Sequence, residues 1–223
     1  MLLLALDSST PRVTVALVDV AADASIRVLA EHADDAGNRH GELLAPAIAR
    51  VLADVGAKPG DLGAIACGLG PGPFTGLRVG IVTAASFADG LGVPAYGACS
   101  LDALALAHRG AGRLLAVTDA RRKQVYWARY DEDGRRVDGP EVSAPTEVPG
   151  HVDRVVGAGA IQYADAFADF PIVATDPWPQ ASMVARLAAE RAAAYAPTEQ
   201  LTPLYLRRPD AQPPGAPKPV TPR

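Results

Sequence analysis

One run constrains this chain more than any other: Gly68-Leu69-Gly70-Pro71-Gly72-Pro73-Phe74-Thr75-Gly76-Leu77-Arg78-Val79-Gly80. An apolar stretch over 64–67 leads into it and reads as a short buried strand, and 77–88 reads as a helix after it. Between the two, three glycines and two prolines fall within 70–76. Proline fixes φ and removes an N–H donor, whereas glycine permits φ > 0 or close approach of another backbone. Thr75 is the expected N-cap, which leaves amide N–H groups at the helix start to hold an anion or dock a polar backbone. The plainer alternative is an ordinary strand-to-helix turn. The glycine spacing does not give a dinucleotide fingerprint, and no Gly-Lys-Ser/Thr follows to make a P-loop.

The rest of the chain sets the class. Its 223 residues suffice for one large domain or two small ones, and with 49% hydrophobic residues it can bury a substantial core. A net charge of −4 provides no field that would draw in nucleic acid unaided. Cys67 and Cys99 sit in apolar contexts without C-x-x-C spacing, which points to a reduced, cytoplasmic protein. The apolar start, 1–6, stops at Asp7 and is too short for a signal peptide, and no stretch reaches transmembrane length, so no membrane role is expected.

In chain order, 2–6 is a continuous apolar strand ending at Asp7, Ser8-Ser9-Thr10-Pro11 is a turn, and 13–18 and 26–31 are strands, making an antiparallel meander. A strand-end aspartate beside Ser9 and Thr10 is how actin-like ATPases present a metal–phosphate site; the alternative is a turn-capping Asp. Residues 33–39 read as a loop. From His40 onward, Leu43, Leu44, Ala47, Ile48, Val51, Leu52 and Val55 recur at helical spacing, with small residues Ala45, Ala49 and Ala53 opposite. Pro46 should kink or delay this helix. His40 and Glu42 invite a metal reading, but the position four after His40 is Leu44, so a capping or contact role fits better. The helix after the glycine run is apolar almost all round and needs a cover on both sides, either a partner or the rest of the chain.

Further strands are expected at 93–97, 113–118, 125–130, 152–156 and 201–206, with Ser100 capping a helix over 101–108, a short helix reaching about 168, and an alanine-rich helix at 182–195. Asp131 to Gly134 reads as a hairpin turn, and Gly110-Ala111-Gly112 as a hinge. The second half thus opens like the first: strand, aspartate, turn, strand. Residues 207–223 hold six prolines and read as a disordered tail. The expected fold is α/β with two lobes, each a mixed sheet flanked by helices, of the actin-like (ASKHA, ribonuclease-H-like) ATPase type. Its divisions are an N-terminal lobe (1–109), a C-terminal lobe (110–200), a closing segment (201–207) and the tail (208–223). Two-metal nuclease chemistry lacks carboxylates on the fourth strand. No nucleophile–base signature surrounds Ser86, Ser100 or either cysteine, which counts against a peptidase. An ATP-dependent phosphotransferase acting at Asp7 is the enzyme alternative.

Four pieces in order resemble the bacterial TsaB (YeaZ) family: Leu4-Ala5-Leu6-Asp7-Ser8-Ser9-Thr10, His40-Gly41-Glu42-Leu43-Leu44-Ala45-Pro46, the run from Gly70 to Gly80, and Pro203-Leu204-Tyr205-Leu206-Arg207. The family usually has Ser where this chain has Pro73. The resemblance covers about residues 1–207. It implies a non-catalytic subunit of the machinery that forms threonylcarbamoyladenosine in tRNA. That subunit activates the related TsaD, which carries a His-x-x-x-His metal helix and transfers the threonylcarbamoyl group to the adenosine beside the anticodon. The resemblance further implies pairing through the first two helices, with TsaD or as a homodimer, and a small ATPase, TsaE, joining the complex. ATP and metal then belong to the partners, and tRNA is met through the complex. The implied interface comprises His40, Glu42, Leu44, Ala45, Ile48, Gly72, Phe74, Thr75, Arg78, Val82 and Ala85. Asp7, Ser9 and Thr10 remain candidates for a vestigial nucleotide site.

Overall fold

Asp7 and Asp119 end two strands that begin two copies of the same sheet. In this computed structural model, which describes residues 1–207 except Ala111, the first copy is β1 (Leu2–Asp7), β2 (Arg12–Val20), β3 (Ile26–Asp35), β4 (Leu62–Gly68) and β5 (Ala95–Ala98), in the order β3-β2-β1-β4-β5. β1 and β2, and β2 and β3, pair antiparallel; β4 joins β1 and β5 joins β4 in parallel. The second copy is β6 (Leu114–Asp119), β7 (Val125–Tyr130), β8 (Arg136–Ser143), β9 (Arg154–Val156) and β10 (Ile172–Val173), in the order β10-β9-β6-β7-β8 with the same directions. A meander followed by parallel strands, repeated in two lobes, is the actin-like ATPase fold.

The helices are α1 (His40–Val55), α2 (Phe74–Leu91), α3 (Ser100–Ala107), α4 (Ala158–Gln162) and α5 (Ala181–Ala193). β1 is apolar throughout because both of its faces are covered. Leu4 and Leu6 meet Leu44, Ile48 and Val51 of α1 and Ile81 and Ala84 of α2. Leu3 and Ala5 meet Val184, Ala185 and Ala188 of α5. The small residues Ala5, Ala16, Ala64 and Ala66 on that face let the alanine-rich α5 lie close. The expected 110–200 lobe is therefore divided, because α5 returns to the first sheet. α3 lies between the sheets, with Ala103 in the α5-side core and Leu101 and Leu104 against Leu114, Ala116 and Tyr126.

Several expectations are corrected. α2 starts at Phe74 with Pro73 at its N-cap and no side-chain cap, so Thr75 lies inside the first turn. α1 runs unbroken through Pro46. Ser100 lies inside α3 and Cys99 takes the cap position. β3 extends to Asp35 because an edge strand can present polar residues to solvent. β8, where the sequence reading placed no element, is a strand despite Gly139 and Pro140, which an edge position tolerates. The segment 201–206 forms no ladder; Leu204 N–H donates to Leu69 O at 2.9 Å. Gly110 and Gly112 have positive φ, while Ala111, in the middle of the expected hinge, lies outside the described residues. The expected tail, 208–223, also lies outside them.

Val184 of α5 is 0% exposed against the first sheet. Val184→Asp is expected to cost several kcal/mol, because it buries an unpaired carboxylate. Denaturant unfolding should show a lowered midpoint for the first lobe; an unchanged midpoint would mean that α5 does not cover this sheet.

Candidate functional site

β1 delivers Asp7 to the junction of three elements, where it is 1% exposed. Its Oδ1 accepts the Ser9 N–H at 2.8 Å and the Ser9 hydroxyl at 2.7 Å. Its Oδ2 accepts the Ser100 hydroxyl at 2.5 Å. The Ser100 oxygen in turn accepts the Gly70 N–H at 3.1 Å, and the Ser100 N–H donates to Gly70 O at 2.8 Å. One carboxylate thus ties the β1–β2 turn, the glycine run and the start of α3. Burial raises the Asp7 pKa, and the hydrogen bonds from Ser100 and Ser9, with His40 nearby, pull it partly back.

The glycine run is shaped to this turn. A Cβ on Gly72 would collide with the Ser9 carbonyl, one on Gly80 with the Ser8 hydroxyl, and one on Gly76 would lie 2.7 Å from Ser8 O. The Ser8 hydroxyl donates to Gly76 O at 2.8 Å. His40 donates from Nε2 to Thr10 O at 2.7 Å, so α1 is fastened to the same turn. The close backbone approach that the glycines allow is used within the chain.

A metal-bound nucleotide at Asp7 would have to compete with the donors already on its carboxylate. Both carboxylate oxygens are engaged, and Gly72 packs against the Ser9 carbonyl. The Thr10 hydroxyl donates to Arg12 O at 3.1 Å. Asp7 and Ser9 are therefore turned toward each other, whereas Thr10 bonds Arg12 and lines a cleft with His40 and Thr75. Among the described residues no group of three or more His, Cys, Asp and Glu side chains is placed to hold a metal. The cysteines are poor nucleophiles, since burial pushes the Cys67 thiol well up and the Cys99 thiol up to about 11. No helix among the described residues is long and apolar enough to cross a membrane.

Of the residues expected to meet a partner, several are exposed. Phe74 (46% exposed) and Val82 (61%) stand out on α2, with Thr75, Arg78 and Ala85 also exposed; Ala45 and Glu42 of α1 are exposed as well. Leu44 and Ile48 are corrections: at 1% and 2% exposure they fill the core beneath α1 and cannot reach a partner. Gly72 is likewise buried, under the Ser9 carbonyl, and His40 is half-buried and occupied by Thr10. Sequence reading missed an element of this face. Tyr205 stacks on Phe74 with ring centroids 5.1 Å apart, while the Arg78 guanidinium lies 3.9 Å over the Phe74 ring and its Nε donates to the Tyr205 hydroxyl at 3.2 Å. Tyr205 falls in the segment expected as a strand, and the available signal for its packing on α2 is an aromatic in a stretch without alternation. At the other end of α2, Val82, Ala85 and Ala88 line an open groove of about 660 Å³ with Tyr195 and Leu201.

The chain matches the family described as TsaD, tRNA N6-adenosine threonylcarbamoyltransferase, over residues 31–193. It is 45% identical over 211 residues to an uncharacterised protein of Mycobacterium tuberculosis, covering 94% of this chain and 93% of that protein. It is 35% identical over 136 residues to the tRNA threonylcarbamoyladenosine biosynthesis protein TsaB of Escherichia coli, covering 60% of this chain and 56% of that protein. The solved structure of YeaZ from Pseudomonas aeruginosa superposes with a TM-score of 0.76 at 30% identity, over 92% of this chain and 99% of that one.

Two substitutions probe the junction. Gly72→Ala is expected to cost about 1–3 kcal/mol or more from the forced displacement of Ser9, whereas Gly41→Ala, with nothing within 4 Å, should be neutral or stabilising; thermal melts check both. Asp7→Asn tests the buried charge. Because the folded pKa of Asp7 is raised, the wild type loses stability from this group as pH rises past about 3.8 until the folded pKa is passed. The stability of the Asn variant relative to wild type should therefore improve between pH 4 and 7; a flat difference would contradict a raised pKa.

Proposed function

The chain belongs to the TsaB (YeaZ) family, and we propose that it takes part in threonylcarbamoyladenosine formation in tRNA as a non-catalytic subunit that binds and activates the TsaD-type transferase. The observation that carries the reading is the exposed side of α2. Phe74, Arg78, Val82 and Ala85 form a continuous, largely apolar strip on a helix whose other side is core. Large apolar side chains gathered on one exposed strip mark an interaction surface. The stripe of Ala45, Ala49 and Ala53 on α1 is also exposed, and small side chains allow a second helix to approach closely. The same surface serves for self-pairing when the transferase is absent.

The chemistry at Asp7 agrees with a supporting role. A carboxylate held by Ser9 and Ser100 organises the fold at the position where an ATPase of this architecture would need a free one. ATP and metal therefore belong to the partners in this reading: metal to the transferase, and ATP to the small ATPase, TsaE, that joins the complex. tRNA is met in the assembly, and the setting is the cytoplasm.

Val82→Glu separates interface from stability. The side chain is 61% exposed, so the melting temperature should stay within about a degree or two of wild type. Affinity for the transferase should fall at least tenfold, since a charge would be buried unpaired in the contact. Titration calorimetry with TsaD from the same organism reads this directly; wild-type affinity for the variant would place the contact elsewhere.

A further inference from the structure

The turn that follows β6 is built against its own conformational preferences. Arg121, Arg122 and Lys123 are consecutive, exposed and all left-handed, with φ of 63°, 50° and 59°. Glycine, asparagine and aspartate enter that region most readily; residues with long side chains do so at a cost. The turn is closed by backbone bonds, Ala120 N–H to Gln124 O at 2.9 Å and Gln124 N–H to Arg121 O at 3.0 Å, which any residue types would supply. Those two bonds make no use of the basic side chains, and strain retained at an exposed position points to function.

The turn is also placed to meet a ligand. Arg121 lines a cleft of about 300 Å³ together with Asn38 and His40 of the α1 start and Thr75 and Gly76 of the α2 start. The α2 start carries Phe74, Thr75 and Arg78 of the proposed transferase surface, so a substrate held by the transferase would lie beside the basic turn. The Asp119 carboxylate accepts the Arg121 N–H at 3.1 Å and stands 3.8 Å from its guanidinium Nε, which anchors the first residue of the turn. In a chain of net charge −4, three adjacent exposed cations are a local exception, with Arg121 at this cleft and Lys123 facing a neighbouring one beside Gln162 and Tyr163.

We propose that the Arg121–Lys123 turn contacts the phosphodiester backbone of RNA bound by the assembled complex, making this chain a direct, sequence-independent contributor to tRNA binding. Arginine and lysine on phosphates position a nucleic acid without reading its bases. This inference rests on the tRNA-modifying role proposed above.

The test is Arg122→Asn combined with Lys123→Gly, which leaves the Asp119-anchored Arg121 in place and relieves the left-handed strain. Unmodified tRNA transcript is titrated over a range of salt against the complex with TsaD, and separately against this chain alone at high protein concentration. Three results are expected together. The melting temperature of the chain rises, its pairing with TsaD is unchanged, and tRNA binding weakens roughly tenfold near 0.1 M salt with a salt slope lower by about two. A merely structural turn would give the rise in melting temperature with tRNA affinity and slope unchanged in both arms, and that result overturns the proposal. Failure of the wild type to pair with TsaD would instead strike the function proposed above, and the arm with the chain alone would still decide whether the turn touches RNA.

Discussion

The structure depends on the buried Asp7 carboxylate and the backbone packed around it. Asp7 fixes the β1–β2 turn through Ser9 and reaches across to Ser100, which holds Gly70 from both its hydroxyl and its amide. Those bonds set the path of the glycine run, and the path sets where α2 begins. Since α2 covers one face of the first sheet and presents Phe74, Arg78 and Val82 on its other side, the placement of the outward strip follows from hydrogen bonds deep in the junction. A buried carboxylate is costly unless its oxygens are satisfied, and here three donors meet them.

The two sheets share one topology but are covered differently. The first has α1 and α2 on one face and α5 on the other; the second has α3 on one face and α4 with the 163–170 region on the other. α5 and the segment after it belong spatially to the first lobe. Arg191 of α5 binds Glu199 at 2.6 Å, and Glu199 accepts the Gly97 N–H of β5 at 2.9 Å. The chain then passes Leu69 and Phe74 and ends its described course with Arg207 donating to Ala120 O at 2.9 Å. The closing segment therefore touches both lobes and both candidate surfaces, the α2 strip through Tyr205 and the basic turn through Ala120.

Much of this was legible in the sequence. Continuous apolar runs such as 2–6 identified strands buried on both faces, and the repeated strand–aspartate–turn–strand opening announced two related lobes. The direction in which residues face was harder. Leu44 and Ile48 lie four apart on the apolar stripe of α1, with Ala45 opposite; the family resemblance placed all three at the interface, and the sheet instead buries the leucine and the isoleucine. β8 escaped because Gly139 and Pro140 break every local strand rule, yet an edge strand tolerates them. Thr75 and Ser100 looked like helix caps by type, but Pro73 starts α2 without a side-chain cap and Ser100 is drawn to Asp7. Long-range partners decide such cases, and local sequence does not contain them.

The central claim is that this chain works by completing a transferase that is idle without it. Reconstituted threonylcarbamoyl transfer to tRNA, with TsaD and TsaE from the same organism in the presence and absence of this chain, tests that most directly. The account predicts that transfer depends on the chain and saturates at one chain per transferase. Equal transfer in its absence would contradict the account and leave the exposed strip of α2 without the role assigned to it.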